Sequence, residues 1–256
     1  MKFKAIFQSI VCVLLLSLGG CGEKKKDPNA PYIVMTSPDN PPFEYVDTSS
    51  GSEKIVGFDI EMMNKIADHL GWKIEVVPAD FASLIPAIQS GRADMVIASM
   101  VPTPEREKSV DFSTPYYQNS PAFLIRKGAT IQGVADLTNR QVGVQLGSTH
   151  EQAAKKLSNN NEIFNVLSLT RIGDLVQELK TGRIDAVLIE KPVAEGIIAN
   201  NPDLAVIDAT DVQAESPAIA FPNGSPLVVP VNKAIEELKS TGVIESMAKL
   251  WFSDHK

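Results

Sequence analysis

The chain is poor in cysteine. Cys12 and Cys21 are the only two in 256 residues, too few for a disulfide framework or a cysteine-built zinc site. It also lacks an excess of basic charge. Twenty-four Lys and Arg stand against 31 Asp and Glu, a net charge of −7, so there is no basic footprint for gripping a phosphate backbone. Collagen, coiled coil, disorder and a multi-span membrane protein are excluded on composition. At 44% hydrophobic and 21% charged, the chain has what a soluble globular protein needs for a sizeable core. Its length allows one large domain or two of roughly 100 residues each.

The N-terminus reads as an address. Lys2 and Lys4 precede a short apolar run, Ile10 to Leu16. That run falls short of the about 20 residues a bilayer requires and suits the apolar region of a secretory signal. It ends in Leu18-Gly19-Gly20-Cys21, which resembles a bacterial lipobox, with Cys21 the lipidation site. Residues 1–20 are expected to be a lipoprotein signal peptide. Cleavage would remove Cys12 and consume Cys21, leaving no free thiol. Residues 21–30, polar and punctuated by proline, read as a lipid-anchored tether.

From Tyr32 onward, short apolar runs alternate with helical patterns. Ile33-Val34-Met35, Ile74 to Val77 and Asp94 to Ala98 read as strands. Phe58, Met62, Met63, Ile66 and Leu70 mark a helix ending at Gly71, and Leu84 to Gln89 another. This β-α-β-α-β alternation predicts an α/β fold with a largely parallel sheet. A phrase then recurs: Leu84 to Ile97 matches Leu175 to Leu188, each a helix, a Gly-Arg-x-Asp turn and an apolar strand. Two α/β lobes of similar construction explain the repeat. Ligands of open α/β sheets sit beyond the carboxyl ends of strands. The repeated strands end at Ala98-Ser99-Met100 and Ile189-Glu190-Lys191, which predicts a cleft between facing lobes.

Three features converge there. Thr103-Pro104-Glu105-Arg106 resembles a helix start, with Thr as cap and Arg106 placed for bidentate capture of a carboxylate. Gly147-Ser148-Thr149-His150-Glu151 carries a capping box, Ser148 to Glu151, whose N–H groups would face an anion. Glu190 is an acid closing an apolar strand and needs a cationic partner or donors. Arg106 and the Ser148–Thr149 amides as a positive pole, with Glu190 as a negative one, suit a zwitterion such as a free α-amino acid.

Asn40-Pro41-Pro42-Phe43-Glu44, Gly57-Phe58-Asp59-Ile60, Thr103 to Arg106, Asp111 to Tyr116, Gly147-Ser148-Thr149 and Gly182-Arg183-Ile184-Asp185 stand in a recognisable order and spacing. From about Tyr32 to Phe252 the chain resembles the polar amino-acid-binding lipoproteins and periplasmic proteins of ABC importers, solute-binding protein family 3, nearest to their arginine- and lysine/arginine/ornithine-binding branch. The resemblance implies a two-lobe, type II periplasmic-binding-protein fold of the α/β class. Each lobe would be a mixed, mostly parallel sheet flanked by helices, with the ligand cleft between lobes. Lobe 1 would comprise 31–118 and 219–256, lobe 2 122–215, and the hinge 119–121 and 216–218, with Ala218 to Phe221 a returning strand and helices from Leu227 and Val243 packing back on lobe 1.

It implies a monomer that needs no cofactor, is held in the periplasm on a bacterial membrane by its lipid anchor, binds no nucleic acid, and delivers an amino acid, arginine first, to an ABC permease in the inner membrane. By the same resemblance Arg106 clamps the ligand α-carboxylate with Thr149, Ser99 binds the same end, Glu190 takes the α-ammonium and Phe81 stacks on the side chain. Phe43 and Phe58 read as core. Asn40 stands where many relatives carry a second aromatic, Ser37 where basic-ligand relatives often have Asp, Val101 where Ser or Thr is usual, and His150 where Gln is familiar. Glu44, ahead of Asp39 and Asp80, is the acid expected to face a cationic side chain.

A neutral polar ligand such as glutamine is the alternative within this class. An enzyme such as a dehydratase on the same fold, and a surface adhesin or sensory lobe, are the readings outside it. Ser148 and His150 are badly spaced for a nucleophile–base pair, no Gly-x-Ser-x-Gly elbow occurs, and no metal-ligand spacing is present. His69, beside Asp68 on its helix, reads as simply solvated.

Overall fold

A computed structural model describes residues 30–159, 162–214 and 216–253. In chain order the first lobe opens with β1 (Tyr32–Thr36), then β2 (Asp39–Asn40), β3 (Glu44–Asp47) and β4 (Lys54–Val56). It continues with α1 (Phe58–Leu70), β5 (Ile74–Pro78), α2 (Leu84–Gln89), β6 (Met95–Val96) and β7 (Asp111–Phe112). The second lobe holds β8 (Pro121–Arg126), β9 (Gln141–Gln145), α3 (Thr149–Leu157), β10 (Asn165–Leu169), α4 (Ile172–Lys180), β11 (Ala186–Glu190), α5 (Lys191–Ala199) and β12 (Leu204–Asp208). The chain then returns through β13 (Ala220–Phe221), α6 (Val228–Ser240) and α7 (Val243–Ser253).

Each lobe is built on a five-stranded mixed sheet, ordered β5-β1-β6-β13-β7 in the first and β10-β9-β11-β8-β12 in the second. A small antiparallel sheet, β2-β3-β4, caps the first lobe. Because β7 and β8 lie in different sheets, and so do β12 and β13, the chain crosses between lobes twice. In β8 the alternation is visible: Ala122 and Leu124 face the core formed with α4 and α5, while Phe123 and Ile125 face the one formed with Val142, Val144 and Ala154.

The repeated Gly-Arg-x-Asp phrase has a physical cause. Gly91 and Gly182, at φ 70 and 77, end α2 and α4 in the left-handed region. Each following Asp then pairs with the first residues of a neighbouring parallel strand. The Asp94 N–H donates to the Ile33 carbonyl while its carboxylate accepts the Ile33 N–H. Asp185 makes the same reciprocal pair with Gln141. The motif thus pins a strand edge in both lobes and aims both strand ends at the same cleft.

Two other motifs meet each other. The first N–H groups of α1, on Phe58 and Asp59, donate to the carbonyls of Pro42 and Phe43. Gly57 sits between them at φ 132, and a Cβ there would lie 2.2 Å from the Phe43 carbonyl oxygen. Helices α6 and α7 close over α1, burying Val231, Ala234, Ile235, Ile244 and Met247. His69 is exposed, as read from sequence, and lies 3.4 Å from the exposed Glu237 on α6, which packs alongside α1. The Thr103–Arg106 segment, read as a helix start, forms only one 3₁₀ turn, Arg106–Lys108, since the chain is drawn straight into β7.

Replacing Gly57 by Ala is expected to cost about 2–5 kcal/mol, the sum of a forbidden φ and a backbone clash. Urea unfolding measures it, and a loss below about 0.5 kcal/mol would contradict the close approach of Gly57 to Phe43.

Candidate functional site

Strand ends and helix starts from both lobes line one small, narrow cavity, concave and walled by groups from both sheets as small-molecule sites are. Asn40, Phe81, Ala98, Ser99, Val101 and Arg106 line it from the first lobe. Gln145, Ser148, Thr149, His150, Ile172, Leu188, Ile189 and Glu190 line it from the second.

Arg106 is 7% exposed, and its position is fixed from three sides. Thr103 Oγ1 accepts its backbone N–H at 3.2 Å, so the capping hydrogen bond read from sequence exists although the helix does not continue. Its guanidinium donates to the Val101 carbonyl at 2.6 Å and across the cleft to the Gly147 carbonyl at 3.0 Å. The Phe81 ring lies under it, 5.4 Å from the guanidinium carbon.

Opposite, α3 starts at Thr149, where Ser148 Oγ accepts the Glu151 N–H at 3.0 Å. The Glu151 carboxylate turns back to accept the Gly147 N–H at 2.7 Å and also holds Ser168 and Lys155. Burial, which opposes its ionisation, is outweighed by Lys155, Ser168 and that N–H, and the carboxyl sits below its usual range. The loop is therefore rigid, and its helix start adds positive potential next to Arg106. Glu190 closes β11 as the residue before α5, on the cavity wall. One pole of the cavity is cationic and another wall carries a carboxylate.

Beneath the floor lies a buried acid pair. Asp59, fully buried, accepts the Ser99 N–H at 2.7 Å and the Tyr116 hydroxyl at 2.8 Å. Ser99 is thereby held at φ 44, with Asn119 Nδ2 donating to its hydroxyl. Burial pushes Asp59 up to about 7, against these two donors and a hydrogen bond from Glu44 that favour its charge. Burial, then the Asp59 charge, holds Glu44 well above the usual carboxylate range. Burial thus favours a proton on Glu44, and the hydrogen bond from Glu44 to Asp59 engages the otherwise unpartnered Glu44 Oε2 and Asp59 Oδ1.

Nine of the eleven ligand residues expected from sequence line the one cavity: Arg106, Glu190, Thr149, Ser148, Ser99, Phe81, Asn40, Val101 and His150. Two do not. Glu44 lies behind Asn40, accepting its Nδ2 at 3.3 Å, and is not on the cavity wall; burial and the Asp59 charge disfavour its charged form. Ser37 donates to Asp39 at 3.1 Å and faces a neighbouring open cleft shared with Asp80 and Arg171. Gln145 and Ile172 were missed. Gln145 ends β9, so the strand-end argument applied to Ser99 and Glu190 would have found it. Cys21 lies outside the described residues. Among the described residues no group of three or more His, Cys, Asp or Glu is placed to hold a metal ion.

The sequence from residue 32 to residue 254 matches the model of the bacterial extracellular solute-binding proteins, family 3. This chain belongs to that family. It is an extracellular solute-binding protein and not an enzyme. It is 40% identical to the arginine-binding extracellular protein ArtP of Bacillus subtilis (strain 168), over 96% of this chain and 97% of that one. Among solved structures it is similar to the amino acid ABC transporter substrate-binding protein AbpA of Streptococcus pneumoniae bound to L-arginine. The TM-score is 0.82 at 38% identity, covering 88% of this chain and 95% of that one. An ancestral arginine-binding protein bound to glutamine gives 0.80 at 39%, covering 88% and 98%. The solute-binding protein's lobes are those of a type II periplasmic binding protein.

The acid pair makes stability depend on pH in a definite direction. Between the ordinary 3.8 of a free Asp and the 7 of Asp59, the folded chain retains protons that the unfolded chain has released. This contribution to stability is present at low pH and lost as pH rises. Glu44→Gln keeps a donor toward Asp59 without the titrating proton, so its advantage over the parent should grow steadily from pH 5 to pH 8 in paired thermal melts, runs at about those two values. A pH-independent difference would refute that retention of protons.

Proposed function

We propose that the cleft captures a free L-α-amino acid, with arginine the preferred ligand, and that the loaded protein is read by the permease of an ABC transporter. The observation that carries this is the pairing of opposite poles across one enclosed cavity: Arg106 and the start of α3 on one side, Glu190 on another. That arrangement fits an α-carboxylate and an α-ammonium held at once. The Arg106 fork suits bidentate capture of a carboxylate, with Thr149 and Ser99 beside it. The side chain would then run along Phe81 toward Asn40 and Gln145. A guanidinium over the Phe81 face gains roughly 0.5–2 kcal/mol. Support for arginine comes from the ligand named for ArtP and the one bound to AbpA.

One observation favours a second reading within the class. Among the described residues Glu190 is the only carboxylate on the cavity wall, and the α-ammonium claims it. The amides of Asn40 and Gln145 would suit a neutral side chain such as that of glutamine, the ligand of the ancestral relative.

Capture would proceed by closure about the two crossings, residues 119–121 and 216–218, each lobe contributing half of the binding groups. Residues 1–20 would direct export, and Cys21 would carry the lipid that keeps the protein on a bacterial membrane, monomeric and facing the periplasm.

Calorimetric titration after unfolding and refolding, to strip carried ligand, should rank arginine first among arginine, lysine, ornithine, glutamine, histidine, cystine and glutamate. Glutamine binding more tightly would select the second reading, and no binding by any would refute the class of ligand. Arg106→Ala should weaken the best ligand by about 3 kcal/mol or more, over about a hundredfold, with the fold intact by circular dichroism. An undiminished affinity in that variant would remove Arg106 from the site. For the anchor, Cys21→Ser should abolish labelling by radioactive fatty acid and move the protein from membrane to soluble fraction. A variant that still labels would exclude Cys21.

A further inference from the structure

Asp39 is the first residue of β2, in the first lobe, yet its hydrogen bonds reach the second. Its Oδ2 accepts the Ile172 N–H at 2.8 Å, at the first residue of α4. Gln145 Nε2 lies 3.4 Å from both carboxylate oxygens, and Ser37 Oγ, from Asp39's own lobe, donates to Oδ1 at 3.1 Å. Burial raises the Asp39 carboxyl above its usual range, while the Ile172 N–H, Ser37, the Arg171 charge of the second lobe and Gln145 favour its charged form. Neighbours on a strand point to opposite faces. Asn40 accordingly lines the ligand cavity, whereas Asp39 faces the adjoining cleft with Asp80 and Arg171.

We propose that Asp39 is a latch. It docks onto the start of α4 and holds the lobes closed while touching no ligand atom. This rests on the amino-acid-binding reading above and adds a positioning residue to it. The physical argument has three steps. A carboxylate on a helix start is a charge-assisted hydrogen bond, reinforced by the dipole of a nine-residue helix. The partners sit on different lobes, so the bond exists only when the cleft is shut, and it weights the closed state alone. The two groups it holds, Ile172 and Gln145, are themselves cavity walls, so closure and completion of the site are one event.

A latch outside the cavity has a signature that a ligand contact lacks. It scales the affinity for every ligand by the same factor, because it changes the closed population and not the contacts. The factor appears in the dissociation rate, since the bond must break before ligand leaves.

The test compares Asp39→Ala and the isosteric Asp39→Asn with the parent protein, titrated with L-arginine and L-glutamine. Stopped-flow dissociation, ligand-free thermal melts and the interlobe distance from spin labels at Lys65→Cys and Asp174→Cys, in a background with Cys12 and Cys21 replaced by Ser, complete it. The expected result is about a ten- to hundredfold loss of affinity for Asp39→Ala, equal for both ligands. The loss should sit in a faster dissociation, with an unchanged ligand-free melt and a smaller closed fraction in the label distances. A loss confined to arginine would overturn the latch and make Asp39 a side-chain contact. Equal affinities and unchanged label distances would overturn it outright, and so would a matching drop in the ligand-free melt, which marks a purely structural role. If the parent binds neither amino acid, the functional reading falls, and the label distances still decide the latch.

Discussion

One buried guanidinium joins the halves of this molecule. Arg106 donates to a carbonyl of its own lobe and to a carbonyl of the other, over the face of Phe81. A charge taken out of water is costly unless it is paired or hydrogen-bonded, so the groups around it must be held in place. The two carbonyls, one from each lobe, hold the guanidinium between the halves. The geometry around Arg106 follows from that need. Val101 and Thr103 bend the chain so that the side chain points inward. Glu151 holds the Gly147 loop so that its carbonyl faces the first lobe, and glycine suits that approach, since at φ 80 a side chain is strained and its Cβ would crowd the Ala82 Cβ at 3.3 Å.

The second constraint is the acid pair under the floor. Asp59 belongs to the first turn of α1, Ser99 to the end of the β6 segment, Tyr116 and Asn119 to the first crossing between lobes. One network of buried hydrogen bonds therefore holds helix, strand end and crossing, and keeps Ser99 in a left-handed conformation that a non-glycine residue rarely adopts. Both carboxyls are held above the usual carboxylate range because two acids are buried side by side. Glu190, by contrast, lies on the cavity wall.

What could be read from the sequence was local or repeated. Period-3.6 patterning marked α1, and the Gly-Arg-x-Asp phrase marked two equivalent turns because the same reciprocal hydrogen bonds recur in each lobe. Strand ends then led to Ser99, Arg106, Thr149 and Glu190. What could not be read depends on residues far apart in the chain. Glu44 has an ordinary surface-like context until α1 covers it. The Thr103 cap signal is genuine, yet the next segment is captured by β13 through Ser113 and Ile219, which stops the helix after one turn. Asp39 meets Ile172 across 133 positions of sequence, and no periodicity announces such a pair.

This division explains why the family is so plain while the ligand is a matter for experiment. The residues that make the family recognisable mostly meet one another. Gly57 lies against Phe43, Ser113 pairs with Ile219, Asp94 and Asp185 pin strand edges, and Asp111 accepts the Gly224 N–H. They build the two lobes and bring Arg106 and Glu190 to the walls of one cavity. Asn40, Phe81, Val101, Gln145 and His150 are wall positions, and none of them takes part in those frame contacts. A frame conserving the zwitterion site can therefore exchange one side chain for another by altering a few walls. The ligand must be measured at those walls, because the motifs describe only what carries them.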